Sequence, residues 1–199
     1  MSRIVSHRRA MFALLAAVSV TACSKPPQEA IAAAEQAQAA AQAAGAEEYA
    51  PEAWNAVSEA KAALDAELAA QGEKMSLTRS YKHAEELAAA YQTVAQQAST
   101  AAAAAMEQAK NEATTLITES RLALDEAMAM LASAPRGKGS AADLAAMKAD
   151  LEAAGLTLTE AEGSLTAGTY LDARAKATSA REVIERVKTA VAEAQAARR

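Results

Sequence analysis

Residues 77–134 read LTRSYKHAEELAAAYQTVAQQASTAAAAAMEQAKNEATTLITESRLALDEAMAMLASA, without one glycine or proline. Leu77, Tyr81, Ala84, Ala88, Tyr91, Ala95, Ala98, Ala102, Ala105 and Ala109 follow one another in steps of four and three. That spacing keeps one face of a helix turned to a neighbour. Past Ala109 the register slips by one, and Ala113, Ile117, Ser120, Leu124, Ala127 and Leu131 continue the stripe. A helix from about Ser76 or Leu77 to Pro135 would be about 85 Å long if unbroken.

The flanking segments carry the same period. Toward the N-terminus, Gln28–Ala44 predicts a helix stopped by Gly45, and Pro51 suits the first position of a second. Glu47, Glu48 and Glu52 suit its positive end. Val57, Ala60, Leu64 and Leu68 line that helix, which should end near Gly72. Toward the C-terminus, Pro135-Arg136-Gly137-Lys138-Gly139 is a loop, and Ser140 with Asp143 makes a capping box. Leu144, Met147, Leu151, Ala154, Leu158, Ala161 and Leu165 form the fourth seam, with Gly155 and Gly163 off it and Gly168 at its end. Tyr170, Ala173, Ala177, Ala180, Ile184, Val187, Val191 and Ala194 form the fifth.

Strand-like alternation is absent, and the chain beyond residue 22 is roughly three-tenths alanine. Alanine has the best helix propensity but buries little surface, so a very helical chain with a thin core is expected. An internal echo adds organisation. Val57, Ala60, Lys61 and Leu64 match Leu144, Met147, Lys148 and Leu151, and Tyr81 and Ala84 match Tyr170 and Ala173. The expected fold is all-α, an elongated coiled-coil-like helical bundle. Two tandem three-helix units, 28–103 and 104–197, would share the long central helix.

The start of the chain carries an address. Arg3, Arg8 and Arg9 precede the apolar run Met11–Val20, and Val20-Thr21-Ala22-Cys23 follows. A basic start, a short apolar core and a small residue before a cut describe a secretory signal over residues 1–22. The run is too short to span a bilayer. The tetrapeptide resembles a bacterial lipobox, which implies cleavage between Ala22 and Cys23 and acylation of Cys23. Diacyl and amide-linked (palmitate-type) chains would anchor the protein stably. Ser24, in place of Asp, resembles an outer-membrane sorting signal, so residues 23–27 read as a lipidated linker facing the periplasm.

Removing residues 1–22 removes Arg3, Arg8 and Arg9 and no carboxylate, which takes the formal charge from −5 to −8. An acidic chain has no electrostatic case for nucleic acid. Nor does that balance draw it to anionic headgroups, so acyl chains are expected to hold it to the membrane. The single cysteine excludes an intramolecular disulfide and a cysteine-based zinc site.

Little in the sequence suggests chemistry. His83 has no second histidine after the signal, and Glu85 and Glu86 are read as not facing it. Adjacent carboxylates such as Glu47-Glu48 point apart on a helix, whereas acid–base catalysis needs convergence. No enzyme activity, metal or cofactor is expected. Tyr81, Tyr91 and Tyr170 fall on seams, and Met128, Met130 and Met147 read as gap-filling core. Tyr49 and Trp54, at the hairpin between the first two helices, are the candidate partner contacts.

Tyr49-Ala50-Pro51-Glu52 and the later Leu165-x-Ala167-Gly168-x-Tyr170-x-x-Ala173 turn resemble a family of alanine-rich bacterial envelope lipoproteins with a helical domain of unknown function. The resemblance implies a non-catalytic envelope protein and assigns no catalytic residue. The chain is also similar to murein-anchored coiled-coil lipoproteins, but it ends in Arg198-Arg199 rather than the lysine joined to peptidoglycan. The expected function is a lipid-anchored spacer or adaptor that meets an envelope protein or a second copy of itself. The alternative is a module that holds a small ligand or wall fragment between the units, near Ser99-Thr100 or the polar stretch 111–120.

Overall fold

The computed structural model describes residues 25–134 and 141–196. Ala22, Cys23, the loop 135–139 and Ser140 lie outside the described residues. Among those residues there are six α-helices and no strand: α1 (Gln28–Ala43), α2 (Ala46–Tyr49), α3 (Pro51–Glu73), α4 (Lys82–Ala132), α5 (Ala141–Ala167) and α6 (Tyr170–Ala196). No described helix is long and apolar enough to cross a membrane. The chain divides into two compact units between Ala102 and Ala103.

In the first unit α1 ends where Gly45 takes φ 77°, a left-handed conformation that costs a residue with a Cβ. Glu47 and Glu48 belong to the separate single turn α2, and Pro51 occupies the first turn of α3. The core is made of Ala34 and Ala41, of Val57 and Leu64, and of Tyr81, Ala84, Ala88, Tyr91, Ala95, Ala98 and Ala102 from α4 and its entry. Leu68, Leu87 and Val94 pack against its margin. From Tyr81 to Ala102 the long seam is therefore buried as its spacing predicts, whereas Ala105, Leu124 and Leu131 further along are half-buried.

Its first member is not. Leu77 is 98% exposed, and α4 begins at Lys82, not at Ser76 or Leu77. Side chains decide this. Arg79 donates from Nε to the Lys74 carbonyl at 2.8 Å and from Nη2 to the Gly72 carbonyl at 2.9 Å. The Ser80 amide donates to Gln71 Oε1 at 3.1 Å, and Gln71 is itself buried and held by Glu67. These bonds satisfy the end of α3 and leave Ser76–Thr78 as a short 3-10 turn.

In the second unit the rest of α4 packs with α5 and α6. Ile117, Ala127, Leu151, Ala154, Leu158, Ala161, Ala177, Ala180, Ile184, Val187 and Val191 make the core. The α5–α6 turn is a Schellman motif. Gly168 has φ 83°, its amide donates to Leu165 O at 3.2 Å, and the Thr169 amide donates to Ser164 O at 3.0 Å.

Several seam members change places at the ends. Ser164 is buried where Leu165 was expected, because its hydroxyl engages the first turn of α6; Leu165 packs at the core's margin. Tyr170 is half-buried at the start of α6, and Ala194, near its end, is exposed. Met130 and Met147 pack against the core, but Met128 is 36% exposed.

Candidate functional site

The two aromatic candidates sit close together in the first unit. Tyr49 closes α2, and Trp54 lies in the first turn of α3, where its amide donates to Ala50 O at 2.9 Å. Both are half-buried and pack against the core, so each presents part of its surface while helping to hold the hairpin together.

Deeper in that unit the Tyr91 phenol donates to Gln38 Oε1 across α4 and α1. Burial pushes the Tyr91 hydroxyl above its ordinary range, with Lys61 opposing the shift. Lys61 is itself committed to Asp65 at 2.9 Å, and that hydrogen bond raises the Lys61 ammonium. His83 lies at the surface with its Nδ1 3.5 Å from Glu86 Oε2. Glu86 therefore does face it, because three residues is nearly one turn.

The second unit holds an arrangement that the seams alone do not suggest. Arg174 Nη1 meets Glu112 Oε2 at 2.6 Å, Arg181 Nη1 meets Glu119 Oε2 at 2.6 Å, and Lys188 Nζ meets Glu126 Oε2 at 3.0 Å. Every pair is 62 residues apart and each follows the last by seven. A constant offset requires α4 and α6 to run parallel in heptad register. The acids all lie on α4 and the bases on α6, as flanking charges do in a coiled coil. Hydrogen bonds from Gln108 and then Arg174 hold the Glu112 carboxyl below its usual range, and the bond to Glu126 raises Lys188.

On the α5 side, Arg121 does comparable work alone. It donates to Glu162 Oε1 at 2.9 Å, to Thr159 Oγ1 at 2.9 Å and to the Gly155 carbonyl at 3.4 Å. Gly155 fits there because a Cβ would meet Leu124 Cδ2 at 3.3 Å.

At the α5–α6 turn, Ser164 Oγ donates to Asp172 Oδ2 at 2.6 Å, with the Glu160 carbonyl 3.1 Å away. Lys176 Nζ lies 3.0 Å from the same hydroxyl and 2.8 Å from Asp172. A serine beside a lysine invites comparison with a nucleophile and its base. Here the ammonium is neutralised by a carboxylate, and the bonds to Lys176 and then Ser164 hold Asp172 below its ordinary range. The cluster clamps the turn.

The polar stretch 111–120 borders an open depression of about 500 Å³. Asn111, Glu112, Thr115 and Glu119 line it from α4, and Arg174 and Thr178 from α6. Its charged members already pair with residues across the seam. Ser120, the inward polar residue of the stretch, is fully buried, and its hydroxyl has no partner. Among the described residues no three His, Cys, Asp or Glu side chains converge as metal ligands. No protein-family model, curated protein or solved structure matches this chain.

Proposed function

We propose that this chain is a lipid-anchored, non-catalytic helical protein of the bacterial envelope, attached through Cys23 and acting as a spacer or adaptor on the periplasmic side of the outer membrane. The observation that carries the structural half of this reading is the α4–α6 charge ladder. It places three charged contacts of the second unit at heptad spacing, where they fix helix register as in a coiled-coil scaffold.

The finer architecture belongs to the same proposal. Two three-helix units share α4 as tandem copies. Ala84, Ala88, Tyr91, Ala95, Ala98 and Ala102 are buried, as are Ala173, Ala177, Ala180, Ile184, Val187 and Val191, each 89 residues later. A duplicated helix that keeps its inward face while its side chains diverge accounts for that pattern. Kinship with alanine-rich envelope lipoproteins, Tyr49 and Trp54 as partner contacts, and an envelope protein or a second copy as the partner are parts of this reading.

Envelope fractionation with labelled palmitate tests the anchor. The parent chain is expected to take up label and sediment with membranes, and Cys23→Ala to do neither. A Cys23→Ala chain that fractionates like the parent would overturn the anchored reading. The second reading, a ligand module, finds its support in the 111–120 depression, which lies within the second unit.

A further inference from the structure

The connection between α3 and α4 is built unlike its counterpart. Eight residues, 74–81, separate those helices, whereas two, Gly168 and Thr169, separate α5 from α6. The longer connection projects Met75, 76% exposed, and Leu77, 98% exposed. Single apolar residues on a surface need no explanation. Two on one loop, held by a dedicated set of hydrogen bonds, do.

That set leaves the loop little freedom. Besides the bonds from Arg79 and Ser80, the Thr78 amide and hydroxyl both donate to the Met75 carbonyl at 2.9 Å. The ordering entropy of the loop is thus spent before any encounter. From Lys74 to Lys82 the segment carries Lys74, Arg79 and Lys82 and no carboxylate, in a chain of formal charge −5. Glu73 and Glu85 flank it on the helices. Arg79 folds back on carbonyls, while Lys74 and Lys82 are exposed.

The loop also lies where the chain enters the first unit. Short connections reverse direction twice between α1 and α4, so those two helices run parallel. Gln38 bonds Tyr91. Ten residues earlier on each side of that pairing stand Gln28, which opens α1, and Tyr81, which closes the loop. The start of α1 and loop 74–81 therefore lie at the same end of the first unit, with Lys25 adding a cation close in sequence to that start.

We infer that loop 74–81 is a bilayer-docking tip: Met75 and Leu77 enter the boundary between headgroups and acyl chains, and Lys74 and Lys82 meet lipid phosphates. This is the amphipathic chemistry of an interfacial anchor. It qualifies locally the expectation that headgroups contribute nothing. It rests on the anchored reading only for the source of the membrane. Docking at the tip would hold the first unit against the surface instead of leaving it tethered by residues 24–27.

The test uses the full lipidated chain carrying Trp54→Phe and Leu77→Trp, reconstituted into vesicles of phosphatidylethanolamine and phosphatidylglycerol with brominated acyl chains. Flotation with the vesicles reads the anchor, and quenching of tryptophan emission by bromine reads the loop. Circular dichroism first establishes that the variant keeps the parent's helicity. Blue-shifted emission, quenched by bromine and shielded from aqueous iodide, is expected. A chain that floats but shows unquenched, iodide-accessible emission would overturn the docking tip and leave the anchor standing, and would direct attention to a protein partner for the loop. A chain that does not float would overturn both.

Discussion

Glu119 on α4 and Arg181 on α6 meet at 2.6 Å, and the same pair recurs one heptad earlier as Glu112–Arg174 and one heptad later as Glu126–Lys188. Both partners of the central pair are roughly half exposed, so the ladder sets register more than it adds stability. Glu119→Arg should destabilise the second unit by placing like charges together. Adding Arg181→Glu should restore it, with a coupling of about 0.5 kcal/mol in a double-mutant cycle by urea unfolding. Additive single effects would mean that the ladder does not set register.

The glycines of α5 separate close approach from simple helix cost. At Gly163 a Cβ would meet nothing within 4 Å, so Gly163→Ala should stabilise by about 0.5–1 kcal/mol through helix propensity. At Gly155 the same gain is opposed by contact with Leu124 Cδ2 at 3.3 Å. Thermal melts should rank Gly163→Ala above Gly155→Ala. The reverse order would show that α4 and α5 are not so close there.

Ser120 is fully buried with an unpaired hydroxyl. Ser120→Ala removes that desolvated group and should stabilise by about 1 kcal/mol. A loss of stability would mean that the hydroxyl has a partner.

How much of this was legible follows from what each feature depends on. The inward face of α4 needs only local periodicity, so Ala84, Tyr91, Ile117 and Ser120 could be placed from their spacing. The start of α4 depends on Arg79 and Gln71 reaching across the connection, and no local rule would have excluded Leu77. The ladder depends on the offset between α4 and α6, which the length of α5 and its two connections sets together. Glutamates at 112, 119 and 126 and bases at 174, 181 and 188 were visible as two heptad series; only the offset joins them. Ser164 displaced Leu165 because the reach of Asp172 and Lys176 outweighed the seam. Tyr49 and Trp54 were readable as neighbours, but not as side chains that also seal the core.

Stability should fall at both extremes of pH. Glu112 and Asp172 are held below their ordinary values, so their contributions are present above about pH 4 and lost as pH falls through the depressed values. Lys188 is raised, so its contribution is complete below about pH 10.4 and lost as pH rises through the elevated value. Melting temperatures across pH should show both arms. Glu112→Gln with Asp172→Asn should flatten the acid arm selectively; an unchanged acid arm would assign the loss to other carboxylates.

The most direct test of the anchored-adaptor account is crosslinking and co-purification of the lipidated protein from its own envelope, beside Cys23→Ala and Trp54→Ala. The account predicts defined envelope partners, or self-crosslinks, that disappear with Cys23→Ala. A Cys23→Ala chain that fractionates and crosslinks like the parent would contradict it.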